Sequence, residues 1–200
     1  MTFNITRADS YSLRRREVVA RLLKNQRDLL VIAGLGAAAW DATAAGDRNL
    51  TFPLWGAMGG AASIGLGLAL AQPKRRVLVI TGDGEMLMGM GSLATVAAMS
   101  PKNLAIAILD NERYGETGSH PTHTSGRTDL AAIARGAGID HTLVVSDESG
   151  LSGAKKALLS EPGPVFAVIK VHAKNMPLVL PPKDGTELRS RFRRKLLGVD

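Results

Sequence analysis

"VLVITGDGEML", residues 77–87, is an apolar run that passes directly into Gly-Asp-Gly. Five consecutive aliphatic or β-branched side chains suit a strand buried on both faces, the kind found in parallel sheets. Gly82 and Gly84 let the backbone turn sharply and bring its N–H groups close to a ligand, and Asp83 between them offers a hard anionic oxygen. The segment therefore predicts a strand whose carboxyl end is built for chemistry.

The same pattern repeats on either side of it. "DLLVIAG" (28–34), "NLAIAILDN" (103–111), "HTLVVSD" (141–147) and "PVFAVIKVH" (164–172) are further strands of this kind. Between and before them lie helical stretches. Residues 13–24 carry the stripe Val18, Val19, Leu22 and Leu23, and "GGAASIGLGLALA" (59–71) has helical length with many small residues. "GSLATVAAMS" (91–100), "TDLAAIARGAG" (128–138, with Thr128 or Asp129 as cap) and "GLSGAKKALLS" (150–160) complete the set. Alternating strands and helices predict an α/β fold: a doubly wound, mostly parallel sheet with helices on both faces, in a single domain. The chain divides into an N-terminal helix region (1–27), the main domain (28–173) and a basic C-terminal arm (174–200) with Pro177, Pro181 and Pro182.

Composition narrows the function classes. Without cysteine the chain has no disulfide, thiolate nucleophile or thiolate metal site, which fits a cytoplasmic location. The N-terminus lacks a secretory apolar segment, and the run from Met58 to Ala71 is broken by glycines and too short to span a bilayer. The net charge of +7 gathers at Arg14–Arg16 and at Arg189–Lys195, and eight aromatic residues leave little surface for stacking bases. The basic ends read as solvated or as docking on an acidic partner; neither nucleic acid nor membrane is expected.

In a doubly wound sheet the chemistry lies beyond the carboxyl ends of the strands. There Asp83 stands beside Asn111, at the end of the neighbouring strand, which offers an amide oxygen. Such hard oxygens, with a backbone carbonyl, make half an octahedron; Mg²⁺ commonly fills the rest with phosphate oxygens and water. A diphosphate held through Mg²⁺ follows.

Gly82-Asp83-Gly84, residues 85–110 and then Asn111 resemble the cofactor motif of the thiamine-diphosphate-dependent enzymes. "LWGAMGGAASIGLGLALA" (54–71) is similar to the segment of that superfamily that meets the cofactor's pyrimidine, and the resemblance spans about residues 30 to 172. Within it, "GDGEMLMGMGSLATVA" and "LDNERYGETG" resemble the small separate subunit of the sulfopyruvate and phosphonopyruvate decarboxylases. The resemblance implies thiamine diphosphate and Mg²⁺ as cofactors. Asp83 and Asn111 would ligate the metal by side chain and Arg113 by its carbonyl. Gly82, Gly84, Glu85, Gly36 and Tyr114 would adjoin the cofactor, Gly56 would accept from its amine, and Met58 would be the wedge beneath it. Ala37 and Ala38 stand where the family often has a hydroxyl.

These enzymes also need a glutamate against the cofactor's pyrimidine nitrogen, carried by a second, pyrimidine-binding domain that has no room here. The resemblance thus implies half of an active site. The expected protein is the diphosphate-binding subunit of a heteromeric 2-oxo acid decarboxylase, acting with a pyrimidine-domain partner to release CO₂ and an aldehyde. An acetolactate-synthase-like carboligase and a non-catalytic cofactor-binding subunit are the alternatives.

Several residues admit a plainer reading. Met58 suits a core as well as a wedge, and the glycines of 59–67 suit close helix packing. "GLGAAA" (34–39) imitates a dinucleotide fingerprint, but no acidic residue ends a second strand about 20 positions on. "AASIG" (61–65) imitates a nucleophile elbow with no strand before Ser63. Glu116, His120 and His123, in a polar loop after the Asn111 strand, are catalytic candidates for proton transfer or anion binding, or simply exposed loop residues. His141 and His172 read as structural.

Overall fold

The computed structural model describes residues 6–199; residues 1–5 of the N-terminal region and residue 200 of the C-terminal arm lie outside them. The sheet strands are β1 (Leu30–Ala33), β2 (Thr51–Pro53), β3 (Val77–Gly82), β4 (Leu104–Asp110), β7 (Thr142–Val145) and β8 (Val165–Lys170); β5 (Arg113–Tyr114) and β6 (His120–Pro121) form a separate antiparallel hairpin. The six pair in parallel in the order β2-β1-β3-β4-β8-β7. The doubly wound parallel sheet is as expected.

Side chains alternate along each strand and feed two cores. From β3, Leu78 and Ile80 join the layer beneath α1 (Arg15–Leu23), α2 (Ala37–Ala44) and α7 (Glu148–Ser160). Val77 and Val79 join the opposite layer beneath α3 (Ala61–Ala71), α5 (Ser92–Met99), α6 (Leu130–Gly136) and α8 (Gly185–Leu197). On α3, Gly65 lies directly against Val79, so there the missing side chain permits close packing, whereas Gly67 faces open space. Asp129 caps α6 by accepting from the amides of Ala131 and Ala132, and Asp184 caps α8 by accepting from Thr186 and Glu187.

Three features depart from the expected pattern. The strand that opens the stretch 77–87 stops at Gly82, because Asp83 already begins a short helix, α4 (Asp83–Met88). The stretch 34–39, which imitates a dinucleotide fingerprint, leads into a helix not expected there, α2, which begins after Gly36 at φ +79°. And β2, three residues ending in Pro53, is an edge strand too short to show a pattern. It runs into Leu54 rather than an acid, so the dinucleotide fingerprint remains an imitation. Ser63 lies within α3.

The C-terminal arm folds back on its own chain. Leu188 and Phe192 of α8 are buried, and Phe192 meets Phe52 of β2 edge-on with centroids 5.8 Å apart. Arg191 grips Asp47 through two hydrogen bonds of 2.7 and 2.6 Å, and the Trp55 indole donates to the Pro182 carbonyl over 2.8 Å. Among the described residues no helix is long and apolar enough to cross a membrane.

Candidate active site

The chain leaves β1 toward β2 on one side and returns to β3 on the other. That reversal is the topological switch point of the sheet, where the diverging connections leave a crevice at the carboxyl ends. A cleft of about 170 Å³ lies at these ends. Leu35, Ala37 and Ala38 line it after β1, Gly82, Asp83, Gly84 and Glu85 after β3, and Asn111, Arg113, Tyr114 and Glu116 after β4. Most residues singled out from the sequence therefore meet in one place. Gly36 borders it, since a Cβ there would stand 3.0 Å from Glu116 Cγ. Met58 also lines the cleft and is 38% exposed, which removes it from the core.

Asp83 is 1% exposed, and its Oδ2 accepts from the Thr122 hydroxyl at 2.5 Å and from Thr124 at 3.2 Å. Thr124 also donates to Asp110 Oδ1 at 2.8 Å, and the two threonine oxygens are 2.8 Å apart. Each hydroxyl has one proton, so the shorter contacts divide them: Thr122 serves Asp83 and Thr124 serves Asp110. Lys170 Nζ, 2.6 Å from Asp110 Oδ2 and 3.4 Å from Glu112 Oε1, balances the second carboxylate. Arg7 and Tyr11 close on Glu112 behind it, at 2.7 Å each. Burial, and then the charge of Asp110, push the Asp83 carboxyl well above the ordinary carboxylate range. A cation beside it removes that penalty, and the hydroxyls leave Oδ1 for one.

The second side-chain oxygen is shaped locally. Asn111 Oδ1 accepts from the Arg113 amide at 3.1 Å, which turns the chain into β5, with Glu112 at φ +59°. Among the described residues no group of three or more His, Cys, Asp or Glu could hold a metal. Two side-chain oxygens with glycine amides beside them suit Mg²⁺, which takes its remaining ligands from phosphate and water. At Gly84 the Tyr114 ring lies so close that a Cβ would stand 2.6 Å from Tyr114 Cε1. The residues present thus fit a magnesium diphosphate.

Glu85 does more than the expected amide contact. Its buried carboxylate accepts from the Thr81 hydroxyl at 2.5 Å, while Oε1 is buried without a hydrogen-bond partner; burial pushes the carboxyl up, and the nearby amides of Ala61, Gly59 and Leu35 oppose that rise. Gly59 and Gly89 touch backbone to backbone, with a Cβ on Gly59 reaching 3.1 Å from the Gly89 nitrogen.

Other candidates lie apart. Gly56 sits in the exposed loop before α3 and has nothing within 4 Å of a Cβ position. His120, on β6, and His123, on the following turn, are exposed and do not line the cleft. The inward groups of that segment are Thr122 and Thr124, on either side of His123; the alternation in "THT" was the available signal. Arg15, Asp110 and Thr122 were not singled out. Arg15 was hidden in a run of three arginines.

A family model described as "Thiamine pyrophosphate enzyme, C-terminal TPP binding domain" matches residues 33–169. The chain belongs to that family. The chain is 39% identical over 187 residues to the sulfopyruvate decarboxylase subunit beta of Methanothermobacter thermautotrophicus, covering 94% of this chain and 97% of that one. It is 34% identical to the sulfopyruvate decarboxylase of Methanosarcina acetivorans, over 91% of this chain but 47% of the relative. It is 36% identical to the phosphonopyruvate decarboxylase of Streptomyces viridochromogenes, over 84% of this chain and 42% of the relative. The region matched by this chain is therefore less than half of those two longer relatives.

Proposed function

We propose that this chain is the diphosphate-binding subunit of a cytoplasmic, heteromeric, thiamine-diphosphate-dependent decarboxylase. Its substrate is a 2-oxo acid with a second acidic group, of the sulfopyruvate or phosphonopyruvate kind, and its products are CO₂ and an aldehyde. The observation that carries the reading is the meeting of Asp83 and Asn111 in one cleft at the β1/β3 switch point, with Gly84 beneath Tyr114.

In this reading Asp83 and Asn111, with the Arg113 carbonyl, hold Mg²⁺ and through it the diphosphate. The amides of Gly84 and Glu85 adjoin the phosphates, Met58 supports the cofactor from below, and the Gly56 carbonyl accepts from its amine. When bound, thiamine diphosphate supplies the nucleophilic ring carbon that makes loss of CO₂ from a 2-oxo acid feasible. Leu35, Ala37, Ala38 and Met58 make the cleft wall apolar and exclude water from it. Glu116 lines the cleft and is the acid of this chain available there for proton transfer; partial burial raises its carboxyl, against the charge of Arg15, which lowers it. His120 and His123 are exposed outside the cleft, and their part in proton transfer or anion binding would need the assembled enzyme.

The partner carries the pyrimidine-binding domain and its activating glutamate. Support comes from the longer relatives, in which the matched region leaves more than half of the chain for other parts. Support also comes from the surface: Met58, Ile64, Met88 and Met90 are exposed around the contact between Gly59 and Gly89, an apolar patch of the kind that marks an interface.

The test is purification of the tagged chain from its native cells with whatever subunit accompanies it, followed by assay of CO₂ release from sulfopyruvate and phosphonopyruvate. The reading expects a stoichiometric partner and turnover that needs thiamine diphosphate and Mg²⁺ and is lost in Asp83→Ala. A chain that returns alone, or a complex whose turnover survives Asp83→Ala, overturns it.

A further inference from the structure

The inner wall of the cleft carries a cation that the proposed reading does not use. Arg15 comes from α1, far in sequence from the Gly-Asp-Gly segment, yet it lines the cleft beside Ala37, Ala38 and Glu116. It is 5% exposed. Its Nε lies 2.9 Å from Asp41 Oδ2, and Asp41 is shared with Arg16, whose Nε lies 2.9 Å from Oδ1. Two guanidinium groups thus share one fully buried carboxylate, and the other acid near Arg15 is Glu116, whose charged form Arg15 favours. Among the described residues Arg15 makes no hydrogen bond: its contact with Asp41 is an ion pair only, and its Nε is buried without a hydrogen-bond partner, although a buried guanidinium has donors to satisfy.

A second feature converges on the same spot. The amino end of α2 follows Gly36 at φ +79° with no side-chain cap, and Ala37 and Ala38 present no hydroxyl. The first amides of a helix have no intrahelical acceptor, and the helix dipole favours negative charge there. A buried, unsatisfied guanidinium beside an uncapped helix start is complementary to a tetrahedral oxyanion, which the planar fork of arginine binds through two hydrogen bonds.

We propose that Arg15, fixed in the wall by Asp41, is an anion-binding residue that takes a phosphoryl or sulfonate group beside the amino end of α2. The proposal rests on the thiamine-diphosphate reading for the identity of the group, which is either a phosphate of the cofactor or the second acidic group of the substrate. In either case Arg15 supplies a contact that the absent hydroxyl at Ala37 and Ala38 does not.

The experiment uses the full chain with its co-purifying subunit, as wild type, Arg15→Gln, Arg15→Lys and Arg16→Gln. Each is titrated by calorimetry with thiamine diphosphate and, separately, with inorganic pyrophosphate, in excess Mg²⁺; melting temperatures and KM for phosphonopyruvate and pyruvate are measured alongside. Arg16 shares Asp41 but lies outside the cleft, so it controls for the loss of the ion pair. If the group is the cofactor's, Arg15→Gln weakens thiamine diphosphate and pyrophosphate by about tenfold to a hundredfold, the range for one charge-assisted contact. Arg15→Lys then falls between and Arg16→Gln binds as wild type. If it is the substrate's, cofactor binding is kept and KM rises for phosphonopyruvate but not for pyruvate. Equal losses in Arg15→Gln and Arg16→Gln, matching their fall in melting temperature, overturn the proposal, as does an Arg15→Gln protein that matches wild type throughout. Should Arg15→Gln fail to fold, Arg15→Lys decides alone: unchanged affinity and KM overturn the proposal. A wild type that binds pyrophosphate through Arg15 but not thiamine diphosphate sinks the cofactor reading and keeps the anion site. A wild type that binds neither sinks both.

Discussion

The Thr122 hydroxyl donates to Asp83 Oδ2 over 2.5 Å, and this bond decides which carboxylate oxygen is left for a ligand. Thr122 is fully buried and comes from the turn after β6, so the hairpin that follows Asn111 reaches back to orient the Gly-Asp-Gly carboxylate. Without the hydroxyl, Oδ2 loses its shorter donor while Asp110 remains close by.

Thr122→Val removes the donor and keeps the shape. Leaving a buried carboxylate oxygen short of a partner costs about 1–3 kcal/mol. The variant should melt lower than wild type and bind thiamine diphosphate more weakly, with Thr122→Ser recovering most of both. Calorimetry and thermal denaturation read the two effects; an unchanged affinity would remove Thr122 from the site.

Gly84→Ala places a methyl group 2.6 Å from Tyr114 Cε1, well inside contact distance. The ring must swing outward, at a cost of about 1–3 kcal/mol for overpacking. Adding Tyr114→Ala should return most of the stability without restoring cofactor affinity, since it is the amide cradle that the methyl disturbs. A double variant no more stable than Gly84→Ala would place the strain elsewhere.

The Asp47–Arg191 pair gives the C-terminal helix a pH dependence. The hydrogen bonds from Arg191 hold the Asp47 carboxyl below the ordinary carboxylate range. A group depressed in the folded state stabilises it above the unfolded pKa of about 3.9 and loses that contribution as pH falls through the folded value. Wild type should therefore melt higher than Asp47→Asn at neutral pH, and the gap should close in acid below that range. A gap that is constant down to pH 3 would deny the linkage.

Deleting residues 186–200 should destabilise this chain itself. It removes Phe192 from Phe52 and uncovers the core layer under β2; loss of a buried Phe alone costs about 3 kcal/mol or more. Denaturant unfolding of the isolated chain measures this directly. A truncated chain as stable as the full one would mean that α8 contributes only to assembly.

The parts of this molecule legible in its sequence are those written in local chemistry. The central strands β3, β4 and β8 are continuous apolar runs, and Asp83 and Asn111 sit at the strand ends where sheet topology places a ligand. The edge strand β2 and the helix α2 were missed, the first because three residues ending in Pro53 hold no period, the second because its entry at Gly36 imitates a glycine-rich loop. Thr122, Thr124 and Arg15 were missed for another reason: each owes its place to contacts distant in sequence, from Thr122 and Thr124 to Asp83, 39 and 41 residues away, and from Arg15 to Asp41. The histidine between the two threonines drew the eye because imidazole chemistry is conspicuous, and the strand-like alternation turned it to solvent. The arginine run read as a solvated patch, although one of its members is among the most deeply buried charges of the cleft.

The backbone contact between Gly59 and Gly89 has a mechanical consequence. The backbones of the Met58 loop and the end of α4 meet directly, with only the Met88 Cβ beside the contact, so under the proposed reading cofactor support and phosphate cradle would move as one stiff piece. Under the proposed reading, a partner subunit closing over this face meets a template already set to its spacing. Little conformational entropy then remains to be lost on docking, and the affinity of the two halves can be devoted to positioning what lies between them.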